Sequence, residues 1–96
     1  MFSYKLSEQA KDDLIEIWID IFELTKNQEF ADDFVDSFIP SFQKISKNPN
    51  IGESRDYLAP MLRKWTHRKY IIYYTEQQSF IRIERILWGR RTQRMK

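Results

Sequence analysis

The stretch LRKWTHRKYIIYYTEQQSFIRIERILW, residues 62–88, decides the fold of this chain. Three of its segments are rich in β-branched and aromatic residues and are predicted β-strands: 62–67, 69–75 and 80–88. The links between them, at 67–68 and 76–79, are too short for a crossover, so the strands form an antiparallel meander. The middle strand is apolar on both faces, which predicts a central position in the sheet.

The segment before the meander begins with a short strand and a long helix. Residues 2–6 alternate apolar and polar side chains, as a strand does, and Ser7 suits the N-cap of a helix over 8–25. This helix has a second apolar stripe beside the one that faces the core, which is formed by Ala10, Leu14, Ile17, Trp18, Ile21 and Leu24. The second stripe is formed by Ile15, Ile19 and Phe22. Both stripes together exceed what a helix lying on a sheet buries, so either a partner protein or a second helix covers this flank.

A second helix is predicted over residues 28–46, after a tight connection in which Asn27 can cap either helix. Pro40 lies inside it and predicts a kink near residues 36–40, or a break into two pieces. Residues 53–61 are expected to be an irregular loop in which Arg55 and Asp56 form a salt bridge.

The element order is therefore β-αα-βββ. It predicts an α+β fold with a single domain over residues 1–96, in which a helical hairpin packs on one face of a curved antiparallel sheet that ends in the three-strand meander. Residues 89–96 form a basic tail without apolar periodicity.

The composition excludes several classes of protein. The 96 residues include no cysteine, which rules out disulfides and thiolate metal sites and favours a reducing compartment. No apolar run has the length of a membrane helix, and the N-terminus lacks the apolar region of a signal peptide, so we expect a cytoplasmic protein. We expect no metal ion and no cofactor.

The charge is divided unevenly along the chain. Residues 1–50 carry five Lys/Arg against ten Asp/Glu, a net charge of −5, whereas residues 51–96 carry eleven against four, a net charge of +7. A basic second half suits an anionic partner, such as nucleic acid or an acidic protein segment, and is equally compatible with a solvated basic face.

Four motifs follow one another along the chain: Leu6-Ser7 with Ala10-Lys11-Asp12-Asp13-Leu14, then Pro49-Asn50-Ile51-Gly52-Glu53-Ser54-Arg55-Asp56-Tyr57-Leu58, then Leu62-Arg63 with Tyr70-Ile71-Ile72-Tyr73-Tyr74, and last Ile83-Glu84-Arg85-Ile86-Leu87-Trp88-Gly89-Arg90-Arg91. In this order they resemble the ParE branch of the RelE/ParE superfamily of toxins, and the resemblance covers nearly the whole chain. ParE-like chains often have His where Trp88 stands and Asp where Thr92 stands.

The resemblance implies one of two activities on one fold. RelE-like members cut messenger RNA on the ribosome, and place Tyr or a His-Tyr pair near the C-terminus. Here no residue after Trp88 is His, Tyr, Glu or Asp. His67 and Arg85 are the only catalytic candidates, and a histidine at a turn is more often a surface residue. The acid–base set is incomplete, which favours the second activity, poisoning of DNA gyrase without catalysis. A ribosome-dependent endoribonuclease and a ParE-like protein with another target are the alternatives.

The resemblance also implies two protein partners. We expect Arg63, Arg85, Arg90 and Arg91 to contact gyrase, and DNA only indirectly through gyrase or the antitoxin. The cognate antitoxin is expected to be a ribbon-helix-helix DNA-binding protein with a tail that wraps the toxin. Apolar residues of the tail would cover Ile15, Ile19 and Phe22, and its acidic residues would neutralise the basic half.

Overall fold

The computed structural model describes residues 3–89. It contains five strands, three helices and one turn of 3₁₀ helix after the last helix. Their bounds are β1 Ser3–Leu6, α1 Glu8–Thr25, α2 Gln28–Asp36, α3 Ile39–Lys47, the 3₁₀ turn Pro49–Ile51, β2 Glu53–Ser54, β3 Arg63–His67, β4 Tyr70–Glu76 and β5 Phe80–Trp88.

The five strands form one sheet in the order β1-β5-β4-β3-β2. The meander of β3, β4 and β5 is antiparallel and β4 is central, both as predicted. The first strand pairs with β5 in parallel, with Leu6 opposite Ile83, so the sheet is antiparallel except at this pair. The two residues of β2 pair with β3 inside the segment predicted to be an irregular loop.

The helix ends follow the capping residues in the sequence. The Ser7 hydroxyl accepts a hydrogen bond from the Ala10 amide at 3.0 Å and caps α1. Lys26 ends this helix in the left-handed conformation, with φ 53°. Asn27 then caps α2, because its side-chain oxygen accepts from the Phe30 amide at 2.9 Å.

The predicted second helix is broken into two at Ser37 and Phe38, one of the two outcomes predicted from Pro40. Pro40 is the second residue of α3, where a missing backbone N–H leaves no hydrogen bond unmade. The break turns the Phe38 ring into the core, where it is 0% exposed.

The core lies between the helices and one face of the sheet. Strand register places Ile72 opposite Ile86 and Tyr74 opposite Ile83, and all four are buried, so they share the helix-covered face. Leu24, the last member of the predicted core stripe of α1, is 81% exposed, so the core ends one turn before the helix does. The remaining buried apolar residues of this cluster are Ala10, Ile17, Phe38, Phe42, Ile45 and Ile81.

Candidate functional site

Where β1 ends, the start of α1 continues along the edge of β5 and forms hydrogen bonds with its backbone. The Ser7 amide donates to the Ile83 carbonyl at 2.9 Å, and the Ser7 hydroxyl donates to the Glu84 carbonyl at 2.8 Å. One turn further on, Asp13 Oδ2 accepts from the Ile86 amide at 2.9 Å. The start of α1 therefore satisfies backbone groups of β5 that would otherwise need another strand.

Arg85 is bound to the same carboxylate. Its Nε donates to Asp13 Oδ2 at 2.9 Å and its Nη2 donates to Asp13 Oδ1 at 3.0 Å, which is a bidentate pair. These hydrogen bonds raise the pKa of the Arg85 guanidinium, and its charge is therefore permanent. The Asp13 side chain is 7% exposed and that of Arg85 is 33% exposed.

The orientation of Arg85 follows from an irregularity in the sheet. Tyr74 lies opposite Ile83, but the preceding residue, Tyr73, lies opposite Arg85, so Glu84 is an extra residue in β5. A bulge of this kind bends a strand and redirects the side chains beside it. Arg85 thus has a structural role, beyond the catalytic and target-binding roles predicted for it.

Arg63 belongs to a second junction, around Gly52. Arg63 Nη1 donates to the Gly52 carbonyl at 2.7 Å. The Tyr74 hydroxyl accepts from the Gly52 amide at 2.8 Å and donates to the Pro49 carbonyl at 2.7 Å. A Cβ at position 52 would collide with that hydroxyl and lie 2.7 Å from the Lys64 carbonyl, so only glycine fits. Burial raises the pKa of Tyr74, which keeps the hydroxyl protonated as a donor.

The predicted Arg55–Asp56 salt bridge is wrong. Arg55 Nη2 instead lies 2.9 Å from Glu53 Oε1, and Asp56 Oδ1 accepts from the Met61 amide at 3.0 Å. Met61 has a positive φ of 62°, and the hydrogen bond from its amide engages the carboxylate of Asp56, which leaves Arg55 to pair with Glu53. Both residues still fix the loop, as expected, through different partners.

His67 is half-buried at the end of β3 and is not the surface turn residue that its neighbours in sequence predicted. Its Nε2 lies 2.9 Å from the Ser37 hydroxyl and its Nδ1 lies 3.3 Å from the Ser41 hydroxyl. The ring therefore ties β3 to the break between α2 and α3. The phenyl ring of Phe38 packs against it with 4.5 Å between centroids.

The hydrogen bonds around His67 define its protonation. The Ser37 hydroxyl donates its proton to the Phe34 carbonyl at 2.5 Å, so toward His67 it can only accept, and Nε2 carries the hydrogen. The Ser41 hydroxyl then donates to a bare Nδ1. Burial and, second, the charge of Arg68 lower the pKa of His67, in agreement with a neutral ring.

The predicted catalytic candidates are not brought together. His67 lies opposite Tyr70, which lies opposite Trp88, and Arg85 is three residues before Trp88 on β5. Strand geometry then separates the two backbones by about 10 Å across the sheet and about 10 Å along it. Arg63 and Arg85 flank β4 nearly level with each other. Arg90 and Arg91 lie outside the described residues.

The flank of α1 predicted to bind the antitoxin is covered only in part. The Phe22 ring is half-buried and stacks on Trp18, with 5.2 Å between centroids, and Trp18 Nε1 donates to Asp32 of α2 at 2.7 Å. The second helix thus covers the Trp18 and Phe22 part of this flank, which meets one of the two expectations in part. Ile15 and Ile19 remain 58% and 43% exposed.

Residues that the sequence reasoning missed carry most of these contacts: Asp13, Ser37, Ser41, Gly52 and Tyr74. For Asp13 the sequence does contain an indication, because the spacing of Ala10, Asp13 and Ile17 places its carboxylate on the buried stripe of the helix. Within residues 3–89, no group of three or more His, Asp or Glu side chains is placed to hold a metal ion. No helix in the same part of the chain is long and apolar enough to cross a membrane.

Comparison with known proteins agrees with this architecture. A solved structure of the chromosomal ParDE toxin–antitoxin system from P. aeruginosa matches with a TM-score of 0.75 and 23% sequence identity, over 92% of this chain and 96% of that one. At this identity the match shows the fold. No curated protein matches the sequence. The family model of the ParE toxin of type II toxin–antitoxin systems matches residues 4–93. This chain therefore belongs to the ParE toxin family.

Proposed function

We propose that this chain is a toxin that inhibits DNA gyrase by binding and trapping the enzyme with its cleaved DNA, without catalysis, and that a cognate antitoxin neutralises it. Membership of the ParE family supports the toxin role. The absence of catalysis is argued from the separation of His67 and Arg85 across the sheet.

Cleavage of RNA through its 2′-hydroxyl requires a base, an acid and cations around one phosphate. His67 and Arg85 are two strands apart, so one phosphate does not reach both. Each is also engaged: Ser37 and Ser41 hold the imidazole, and Asp13 holds the guanidinium. These contacts favour structural roles for both residues and support a function that depends on binding.

Trapping gyrase requires a cationic surface that meets protein and DNA together. Arg63 and Arg85 lie on either side of the central strand, and Arg90 and Arg91 follow the end of β5 by two and three residues in sequence. We assign these four arginines to the gyrase contact. Arg85 contributes through the third of its side chain that remains exposed.

The gyrase proposal is tested by supercoiling with purified gyrase and toxin. We expect inhibition together with accumulation of cleaved DNA, and a loss of potency of about tenfold or more in Arg63→Ala. Arg82→Ala is the control, because Arg82 is an exposed arginine of the same sheet that is not assigned to the gyrase contact, with Glu84 as its partner at 3.6 Å, and we expect its potency to stay within about twofold of wild type.

Two results would overturn this mechanism. The first is normal supercoiling without trapped cleavage complex at toxin concentrations that arrest growth. The second is message cleavage at the ribosomal A site by purified toxin that is lost in His67→Ala or Arg85→Ala, which would establish the endoribonuclease. Thermal melts of each variant separate loss of activity from loss of folding.

For the antitoxin, we propose that the apolar tail residues cover Ile15, Ile19 and Phe22. The isoleucines lie on the outer face of α1, away from the sheet, and are more exposed than isoleucine usually is in a folded chain. Co-expression with the protein of the neighbouring reading frame should yield a stable complex, and the failure of the two to co-purify would contradict this part of the proposal.

A further inference from the structure

The exposed isoleucines of α1 have carboxylates along one border. On a helix, residues three and four positions apart are surface neighbours. Asp12 therefore lies beside Ile15, and Glu16 and Glu23 lie beside Ile19, all three exposed. The other border is formed by Lys11, which is paired with Glu8, and by the stacked rings of Trp18 and Phe22. We call Ile15 and Ile19 with their three acidic neighbours the outer stripe of α1. An apolar pair with an acidic border is the surface that an amphipathic cationic segment fits.

The negative charge extends over the whole helical hairpin. Residues 8–36 contain ten Asp or Glu and two Lys. Glu8 is paired with Lys11 at 3.4 Å, and Asp13 is paired with Arg85. No ion pair joins any of the following carboxylates to another residue in the range 3–89: Asp12, Asp20, Glu23, Glu29, Asp33 and Asp36.

This charge changes which partner segment the stripe accepts. The basic second half of the chain suggests an acidic antitoxin tail, and an acidic segment placed on α1 would meet like charges along the carboxylate border of the stripe. Like charges at this range cost binding free energy, and more so as the isoleucines exclude water. The apolar contact and the charge are both satisfied only by a segment that carries Lys or Arg beside its apolar residues.

We propose that the outer stripe of α1 binds a cationic amphipathic segment of the antitoxin, with apolar side chains on Ile15 and Ile19 and Lys or Arg side chains beside Asp12 and Glu23. This inference rests on the proposed function, since it takes the antitoxin as the partner. An antitoxin that also neutralises the basic half of the toxin then has two segments of opposite charge, and the cationic one lies on α1.

Photocrosslinking identifies the segment directly. Ile19 is replaced by the photoreactive amino acid p-benzoylphenylalanine in the toxin co-expressed with the full-length protein of the neighbouring reading frame. We expect a crosslinked peptide with net positive charge and interspersed apolar residues. The same replacement at Leu24, which is 81% exposed and off the stripe, serves as the control and should crosslink weakly. A net negative peptide at position 19, or no crosslink, would overturn the inference.

Charge reversal measures the electrostatic part of the binding free energy between toxin and antitoxin. We expect Asp12→Lys combined with Glu23→Lys to weaken antitoxin binding by about tenfold or more at 50 mM salt, and by clearly less at 300 mM, because salt screens exposed charges. Glu76→Lys, an exposed carboxylate at the end of β4, is the control and should change the Kd less than twofold. Both variants alter exposed residues, and thermal melts verify that they fold.

The outcomes separate the two proposals. If the neighbouring protein does not bind wild-type toxin at all, the proposed antitoxin function falls and this inference falls with it. If it binds the wild type, the charge-reversed variant and the Glu76→Lys control equally, the antitoxin function stands and the cationic segment on α1 is excluded.

Discussion

The inner face of α1 holds a carboxylate that is 7% exposed, whereas its outer face holds two isoleucines that are 58% and 43% exposed. These three residues are exceptions to the usual arrangement of a helix on a sheet, in which apolar side chains face inward, as Ala10 and Ile17 do here, and charged side chains face outward. Asp13 can be buried because it accepts three hydrogen bonds, two from Arg85 and one from the Ile86 amide. No such contact explains Ile15 and Ile19.

The difference separates stability from binding along one helix. Polar groups on the inner face are fully paired, and removing one partner leaves the others buried without a hydrogen bond. Apolar groups on the outer face contribute less to folding than buried ones, because 58% of Ile15 and 43% of Ile19 stay exposed in the folded chain. Substitutions on the inner face should therefore change stability, and substitutions on the outer face should change association.

The strongest test is Asp13→Ala, for which we expect a loss of about 3 kcal/mol in the free energy of unfolding. The substitution leaves the guanidinium of Arg85 and the Ile86 amide without their acceptor. Urea denaturation of the purified toxin measures it. Asp12→Ala, the exposed neighbour on the same helix, should change the free energy of unfolding by less than about 0.5 kcal/mol. Equal effects of the two substitutions would break the comparison.

A second inward-facing polar group should show a smaller effect. Tyr74→Phe removes the acceptor of the Gly52 amide and the donor to the Pro49 carbonyl, and we expect a loss of about 1–2 kcal/mol by the same measurement. Tyr73→Phe is the control, because Tyr73 lies on the opposite face of the same strand. A loss in the control as large as in Tyr74→Phe would show that the hydroxyl contacts around Gly52 are not the cause.

His67 should make stability depend on pH. Its pKa is lowered in the folded chain, so as the pH falls below about 6.5 the unfolded chain takes up the proton first and stability declines. We expect the Tm of wild type to fall relative to the Tm of His67→Gln between pH 7.5 and pH 5.5. Carboxylates that are common to both proteins contribute equally to the two Tm values, so the difference between these values reports on His67. A difference independent of pH would contradict the neutral ring.

The smallest effect on stability is expected on the outer face. Ile15→Ser combined with Ile19→Ser should leave the free energy of unfolding within about 0.5 kcal/mol of wild type and should reduce self-association of the free toxin, measured by analytical ultracentrifugation. A loss comparable to that of Asp13→Ala would mean that the two isoleucines support the fold, and the separation of stability from binding along α1 would fail.

Local signals in the sequence predicted much of the fold. Ser7 and Asn27 cap helices through contacts that span three residues, and Pro40 breaks a helix through its own ring, so neither requires knowledge of the rest of the chain. The meander was equally predictable from the sequence, because short links leave neighbouring strands only one way to pair.

Contacts between distant parts of the chain could not be predicted from the sequence. The parallel pairing of β1 with β5 joins residues more than 70 positions apart, and no local pattern specifies it. His67 follows a strand directly and looks like a turn residue, yet Ser37 and Ser41 reach it from the break between two helices. Arg63 and Arg85 were singled out for their charge, but the acceptors that hold them depend on the bulge at Glu84 and on the close approach at Gly52.

The parallel pairing of β1 with β5 has a consequence for synthesis on the ribosome. Both partners of the N-terminal segment, Ile83 for Leu6 and Ile86 for Asp13, lie in β5, the last strand within residues 3–89. The pairing of β1 with β5 closes a loop that spans nearly the whole chain. The conformational entropy of this loop is therefore lost late in folding and in one step. In a nascent chain that ends before residue 80, β1 and Asp13 therefore have no partners, and the native fold forms only once β5 has left the exit tunnel.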